Sequence, residues 1–173
     1  GWMCSWDRIT TMIPQDVDLV VVMAGTNDAT QTGGSPMGDL TYPYDEYTFM
    51  GAVALTVERI QEWVPDARIV LVSPLAGRGY YDPSMESDED MNDNQTEVVY
   101  NDQGLTTQDY AEAVKEVAET LGIPYIGLFE TAGINQFNRE SYIRDLVHPT
   151  AEGGKRMAEV IIGGLKLIEP LGD

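Results

Sequence analysis

The chain has 173 residues, of which 43% are hydrophobic and 23% charged, and this length and balance suit one globular domain with a buried core. Its net charge of −19 argues against nucleic acid and anionic membranes as partners, because a field of that sign repels both. No apolar run approaches the ~20 residues that span a bilayer, and no signal peptide is visible at the start.

Two residue types occur only once. The single cysteine, Cys4, allows no disulfide within the chain, and any reaction that needs an imidazole must use the single histidine, His148. The acidic composition is typical of secreted, gut, phage or salt-adapted proteins, and we expect a secreted location rather than a cytoplasmic one.

The first half of the chain alternates between helical and strand-like patterns. A short helix is expected to end near Ile13, and the aliphatic run at residues 17–23 predicts a strand buried on both faces. Asp45 is expected to cap a second helix that Pro65 ends, and the run at residues 69–73 predicts a second buried strand.

The second half opens with a stretch that has no useful periodicity. Residues 76–105 carry eight acidic side chains and one basic one, so we interpret them as an acidic surface loop or lid. Thr106 and Asp109 are spaced as a capping box for the next helix, and Gly122 lies where its C-cap belongs. The run at 123–129 predicts a third strand.

A last helix is expected to start near Thr150, after an irregular stretch. The alternation of helices and strands predicts a single domain over residues 1–173, with a parallel sheet covered by helices on both faces. This is a three-layer α/β/α fold. Binding sites of such sheets form at the carboxyl ends of the strands.

The first motif at such an end is Gly25-Thr26-Asn27-Asp28, directly after the first predicted strand. Asn27 would place a side-chain amide at the sheet edge, where its NH₂ group can donate to a developing oxyanion. Asp28 is expected to bond the loop backbone and hold Asn27. The alternative is an ordinary turn, since Gly, Asn and Asp are common turn residues.

The second motif is Asp145-Leu146-Val147-His148-Pro149, just before the last helix. A carboxylate three residues before an imidazole can reach its Nδ1–H, which fixes the tautomer and leaves Nε2 free as a base. The alternative is a solvated loop histidine with a local hydrogen bond. Together, the two motifs supply the base and the oxyanion donor that acyl transfer needs.

These residues resemble a known family. VVVMAGTNDA is similar to the third conserved block of the SGNH (GDSL-type) hydrolases, Gly-x-Asn-Asp, and DLVHPTAEGGKRMAEVI is similar to their fifth, Asp-x-x-His. The resemblance runs from about Ser5 to Leu167. It implies a flavodoxin-like fold, Asn27 as an oxyanion-hole donor, His148 as general base and then general acid, and Asp145 as the residue that orients His148. It implies no metal and no organic cofactor.

The sequence departs from the family at its start. The family's Gly-Asp-Ser block, whose serine is the nucleophile, is absent: Gly38-Asp39 is followed by Leu40. We expect the chain to be N-terminally incomplete, without one or more strands and the first helix, and with the serine on a missing segment or a separate chain. Two alternatives stay open: the chain is a degenerate, non-catalytic relative, or Cys4 or Ser5 replaces the serine.

The resemblance therefore implies a serine ester hydrolase that acts on small or carbohydrate-borne acyl esters, acetyl esters above all. One alternative is a carbohydrate-binding or structural module that keeps the fold without catalysis. Another is a lipase or thioesterase for longer acyl chains. The expected partner is an ester substrate, with no nucleic acid and no membrane.

Overall fold

The computed structural model of the chain describes residues 3–30, 34–76, 100–135, 137–145 and 147–168. The helices are α1 (Trp6–Met12), α2 (Thr26–Thr30), α3 (Phe49–Trp63), α4 (Thr107–Leu121), α5 (Leu128–Thr131), α6 (Arg139–Tyr142) and α7 (Ala151–Ile168). The strands are β1 (Leu19–Met23), β2 (Arg68–Val72), β3 (Tyr125–Ile126), β4 (Ile143–Arg144) and β5 (His148–Pro149). No helix within these ranges is long and apolar enough to cross a membrane.

The main sheet is parallel, with the strands in the order β1-β2-β3. Leu19 lies opposite Arg68 and Met23 opposite Val72, so β1 and β2 end at the same edge. The chain passes from β1 to β2 through α3 and from β2 to β3 through α4, because parallel neighbours need a crossover connection.

Alternate residues of β2 face two separate cores. Ile69 and Leu71 pack with α3 and α4, whereas Val70 and Val72 pack with the apolar side of α7. Successive side chains of a strand point to opposite faces, so β2 is covered by helices on both sides. The structure confirms the predicted α/β/α arrangement.

The edge strand β1 differs from the expectation of burial on both faces. Val21 and Met23 are each about two-fifths exposed, whereas Val70, Leu71 and Val72 of β2 are fully buried. Val21 and Met23 share a face with Leu19, which packs on the side of the sheet that α7 covers, and α7 lies mainly against β3.

The caps predicted for α4 are present, and the one predicted for α3 is not. In α4, the Thr106 and Asp109 side chains accept reciprocal backbone hydrogen bonds, and Gly122 closes the helix at φ 66°. The prediction for Asp45 was wrong, since Thr48 caps α3 by accepting from the amide of Gly51. Asp45 instead forms the preceding turn, and its carbonyl accepts from the Thr48 amide.

The third strand is shorter than the predicted run at 123–129. Pairing with β2 is limited to Tyr125 and Ile126, and α5 begins two residues later. The amide of Phe129 donates to Ser73 Oγ at 2.9 Å, which draws the chain over the end of β2 and into the helix.

The predicted acidic loop at 76–105 lies mostly outside the described residues. At its ends, Ala76 and Asn101 are each only 6% exposed, whereas Tyr100 is 60% exposed. A turn follows Asn101, whose side-chain oxygen accepts from the amides of Gln103 and Leu105.

Candidate active site

Asp145 and His148 lie on a tight turn between two short strands. β4 and β5 pair in antiparallel fashion, with Arg144 opposite His148, so the residues between them fold back on themselves. His148 Nδ1 lies 3.0 Å from both carboxylate oxygens of Asp145. The backbone amides of Val147 and His148 also donate to Asp145 Oδ1, at 3.3 and 2.9 Å.

The backbone of Asp145 makes this arrangement possible. Its φ of 46° lies in the left-handed region, which few residues other than glycine adopt, although aspartate tolerates it better than most. This conformation reverses the chain direction and brings the Asp145 carboxylate within hydrogen-bond reach of the Val147 and His148 amides. Strained conformations of this kind persist where the surrounding structure holds them, and they cluster at functional sites.

Electrostatics keep Asp145 ionised. Its partial burial favours the neutral acid, but the hydrogen bonds from the His148 amide and ring outweigh that effect and hold the pKa below its ordinary value. Arg144 Nε lies 3.7 Å from Oδ2 and favours the same charge. Because an ionised carboxylate only accepts, His148 Nδ1 must carry the proton, which leaves Nε2 as a lone-pair nitrogen in the neutral ring.

Asn27 lies just beyond the carboxyl end of β1. Gly25, with φ 101°, turns the chain out of the strand, and its carbonyl accepts from the Ala29 amide at 3.0 Å. A Cβ at Gly25 would lie 3.1 Å from Cβ of Tyr110, so both the conformation and the close approach require glycine. Asn27 is the second residue of the short helix α2.

Asn27 and His148 line one open cleft of about 570 Å³. The two motifs, more than 100 positions apart in the chain, thus face the same space at the carboxyl end of β1. The rest of the wall is largely apolar, with contributions from Met3, Met23, Phe49, Ala52, Val53, Val147 and Pro149.

Some polar residues of the cleft were not predicted from the sequence. Arg8 and Ser35 contribute to its wall. Neither carries a local signal, because an arginine on a short helix and a serine in a glycine-rich loop are common surface residues. The expected hydrogen bond from Asp28 to the loop backbone remains a prediction, because residues 31–33 lie outside the described part of the chain.

The two candidate replacements for the serine occupy structural positions. Cys4 is fully buried, and burial raises the pKa of its thiol, which disfavours the reactive thiolate. Ser5 is the N-cap of α1 and accepts from the Arg8 amide at 3.3 Å. Neither lines the cleft. Within the described ranges, no three metal-binding side chains lie close enough together to hold a metal ion.

The solved structures that resemble this chain share its fold. A Lactobacillus plantarum protein is 25% identical over 90% of this chain and 70% of its own, with a TM-score of 0.71. A possible lipase from Chitinophaga pinensis is 19% identical over 94% and 77%, with a TM-score of 0.68. A peptidoglycan O-acetylesterase is 18% identical over 94% of this chain but 41% of its own, with a TM-score of 0.61.

No curated protein sequence matches the chain. The model of the GDSL-like lipase/acylhydrolase family matches residues 5–156, which is most of the chain and includes both motifs of the cleft. The chain therefore belongs to the GDSL-like lipase/acylhydrolase family.

Proposed function

We propose that this chain carries the base, the orienting carboxylate and the oxyanion donor of a serine ester hydrolase, with His148, Asp145 and Asn27 in those roles. The observation that carries the proposal is the Asp145–His148 pair, at 3.0 Å, whose histidine lines the same cleft as Asn27. A bonded pair of this kind, in one cleft with an amide donor, is the constellation that acyl transfer uses.

In the proposed reaction, a serine Oγ attacks the acyl carbon while His148 Nε2 takes the hydroxyl proton. The bond from the acyl carbon to the leaving oxygen then breaks, and His148 returns the proton to the departing alcohol. Water, deprotonated by the same nitrogen, then attacks the acyl-enzyme. The bond from the acyl carbon to the serine Oγ breaks, His148 returns the proton to Oγ, and the carboxylic acid leaves. Asp145 holds the ring and stabilises its protonated form during both steps.

Asn27 acts when the carbonyl oxygen becomes negative. Its side-chain NH₂ group donates to that oxygen, and its fixed place at the start of α2 means that little reorganisation is needed as charge develops. The amide therefore stabilises the tetrahedral intermediate more than the substrate.

The serine of the family's Gly-Asp-Ser block is not among the 173 residues. The proposal therefore places the nucleophile on polypeptide outside this sequence, within hydrogen-bond reach of His148 Nε2. A cleft of about 570 Å³ has room for a turn that carries this serine as well as for a small acyl group.

We propose small or carbohydrate-borne acyl esters as the substrates, with acetyl esters first. The peptidoglycan O-acetylesterase of similar fold acts, by its name, on acetyl groups of a glycan, and this supports the class without fixing the substrate. The net charge of −19 favours neutral esters over polyanionic ones.

The test uses the natural polypeptide that contains this chain. A serine-reactive fluorophosphonate should label it, and it should hydrolyse p-nitrophenyl acetate. His148→Ala should abolish both, and Asn27→Ala should lower kcat by about 10²–10³-fold. Gln108→Ala, an exposed change on α4, serves as the control for folding and expression.

Peptide mapping of the labelled protein then identifies the nucleophile. Label on a serine outside these 173 residues supports the proposal, whereas label on Ser35 of the cleft wall contradicts the placement of the nucleophile. No label and no hydrolysis in a folded sample would replace the proposal with a non-catalytic module. A series of esters from acetate to decanoate separates an acetyl esterase from a lipase or thioesterase.

A further inference from the structure

Asn101 is a buried polar residue next to the cleft that the proposed reaction does not use. Its side chain, in a residue only 6% exposed, donates through Nδ2 to the backbone carbonyl of Asp28 at 2.8 Å and to the Tyr110 hydroxyl at 3.0 Å. Its Oδ1 accepts the amides of Gln103 and Leu105. All four hydrogen-bonding positions of the amide are thus used, which fixes its orientation.

The hydrogen bond from Asn101 gives the Asp28 carbonyl of α2 a partner that the helix itself does not supply. α2 has five residues, and its last carbonyls have no partner four residues further along within the helix. A helix this short is not stable alone, because too few internal bonds offset the cost of nucleating it. Asn101 supplies a donor to the residue directly after Asn27.

Tyr110 supports the other side of the same loop, and we call Asn101 and Tyr110 together the brace. The Tyr110 side chain is fully buried, and its hydroxyl donates to the backbone carbonyl of Ser35 at 2.9 Å. Its ring packs edge-on against Phe49, with centroids 4.8 Å apart. Asp28, Ser35 and Phe49 all line the cleft, so the brace holds both ends of the segment beside Asn27.

The backbone is shaped to admit this contact. A Cβ at Gly34 would lie 2.2 Å from the Asp28 carbonyl oxygen and 2.8 Å from Asn101 Nδ2. The two ends of the loop therefore meet directly at the Asn101 amide, and only a residue without a side chain fits there.

We infer that Asn101, supported by Tyr110, is a positioning residue for the oxyanion donor Asn27. The inference rests on the role proposed for Asn27 above. An oxyanion donor stabilises the transition state only when it is held within a narrow range of positions, so a brace one residue away changes turnover more than substrate binding. Asn101 itself touches no reacting atom.

Asn101→Ala and Asn101→Asp in the natural polypeptide test the inference. Asn101→Asp keeps the shape but turns an acceptor toward the Asp28 carbonyl. We expect both variants to lower kcat by at least about tenfold, with KM changed less than about threefold, since transition-state contacts are weakened selectively. Tyr110→Phe should have a smaller effect in the same direction.

A double-mutant cycle separates positioning from general damage. In an Asn27→Ala background, Asn101→Ala should lower kcat by a further factor of less than about two, because the side chain that Asn101 positions is already absent. Equal losses in both backgrounds would show that Asn101 acts elsewhere, and would overturn the inference. Tyr125→Phe, which removes a hydroxyl bonded to Glu130 and lies outside the cleft wall, is the matched control.

Amide hydrogen exchange gives a readout that does not depend on catalysis. Exchange at the amides of α2 should become faster in Asn101→Ala than in the wild type or in Tyr125→Phe. Unchanged exchange at these amides in Asn101→Ala would overturn the inference that Asn101 positions α2. If the wild type has no esterase activity but Asn101→Ala still speeds the exchange, the failure lies in the proposed function, and the brace stands as a feature of the loop.

Discussion

Asp145 accepts hydrogen bonds from two backbone amides and from the ring of His148. The spacing of the two residues predicted the contact between their side chains, and the structure contains it. The left-handed backbone of Asp145 was not visible in the sequence, because aspartate is common in ordinary turns as well.

Replacing the carboxylate by an amide tests its orienting role. In Asp145→Asn, the side chain keeps its shape but no longer favours a proton on Nδ1 of His148. We expect kcat for p-nitrophenyl acetate to fall by roughly 10⁴-fold, as is found where the corresponding aspartate of a catalytic triad is changed to asparagine. A loss below tenfold would remove Asp145 from the mechanism.

The same carboxylate should contribute to the pH dependence of stability. The hydrogen bonds to His148 hold the folded-state pKa of Asp145 below the value of about 3.9 for an unfolded aspartate. The unfolded chain therefore takes up the proton first as the pH falls. The contribution is fully present above that value and is lost as the pH drops through the folded-state pKa.

Urea unfolding at pH 7 and at several points from pH 5 to pH 2 measures this contribution. Wild type should be more stable than Asp145→Asn at pH 7, and the difference should shrink toward the acid end. A difference that stays constant over the range would mean that Asp145 does not titrate as described.

At the scale of elements, α4 shows how local rules and packing agree. Its capping box and its left-handed Gly122 were both predicted from the sequence and are both present. Its buried side packs against the sheet and carries Tyr110. Because the cap fixes where the helix begins, it also fixes where the Tyr110 hydroxyl lies beside the cleft.

Thr106→Ala should lower the free energy of unfolding by about 1 kcal/mol, the usual effect of losing an N-cap side chain. Urea denaturation followed by circular dichroism measures it. Thr10→Ala, at an exposed hydroxyl on α1 that bonds only backbone carbonyls, provides the comparison and should change stability by less than about half as much. Equal effects would indicate that the capping box adds no stability of its own.

At the scale of the molecule, the chain has 29 acidic side chains and 10 basic ones. A net charge this far from zero destabilises the compact state through repulsion between like charges. Within the described residues, the ion pairs between Lys115 and Glu119 and between Arg156 and Glu159 are exposed, and such pairs contribute little.

Raising sodium chloride from about 10 mM to about 1 M shortens the screening length from roughly 30 to 3 Å, so the melting temperature should rise. Differential scanning calorimetry measures the shift. Neutralising an exposed acid, as in Glu116→Gln, should reduce the salt dependence slightly. A melting temperature that falls with salt would show that attractive pairs outweigh the repulsion.

The sequence by itself determined the alternation of helices and strands, the α4 caps and the two motifs of the cleft. These depend on hydrophobic periodicity and on local hydrogen bonds, which short stretches of chain already specify. The same locality explains the error at Asp45, because Thr48, three residues further on, is also a common N-cap residue and the local sequence does not decide between them.

Only the tertiary structure decided what meets at the cleft. The buried place of Asn101, its bond to the Asp28 carbonyl, the short third strand and the half-exposed face of β1 all depend on residues far apart in the chain. An asparagine in an acidic stretch carries no sign of its distant partner. Its role arises because the parallel sheet brings the start of α4 and the end of β1 to the same edge.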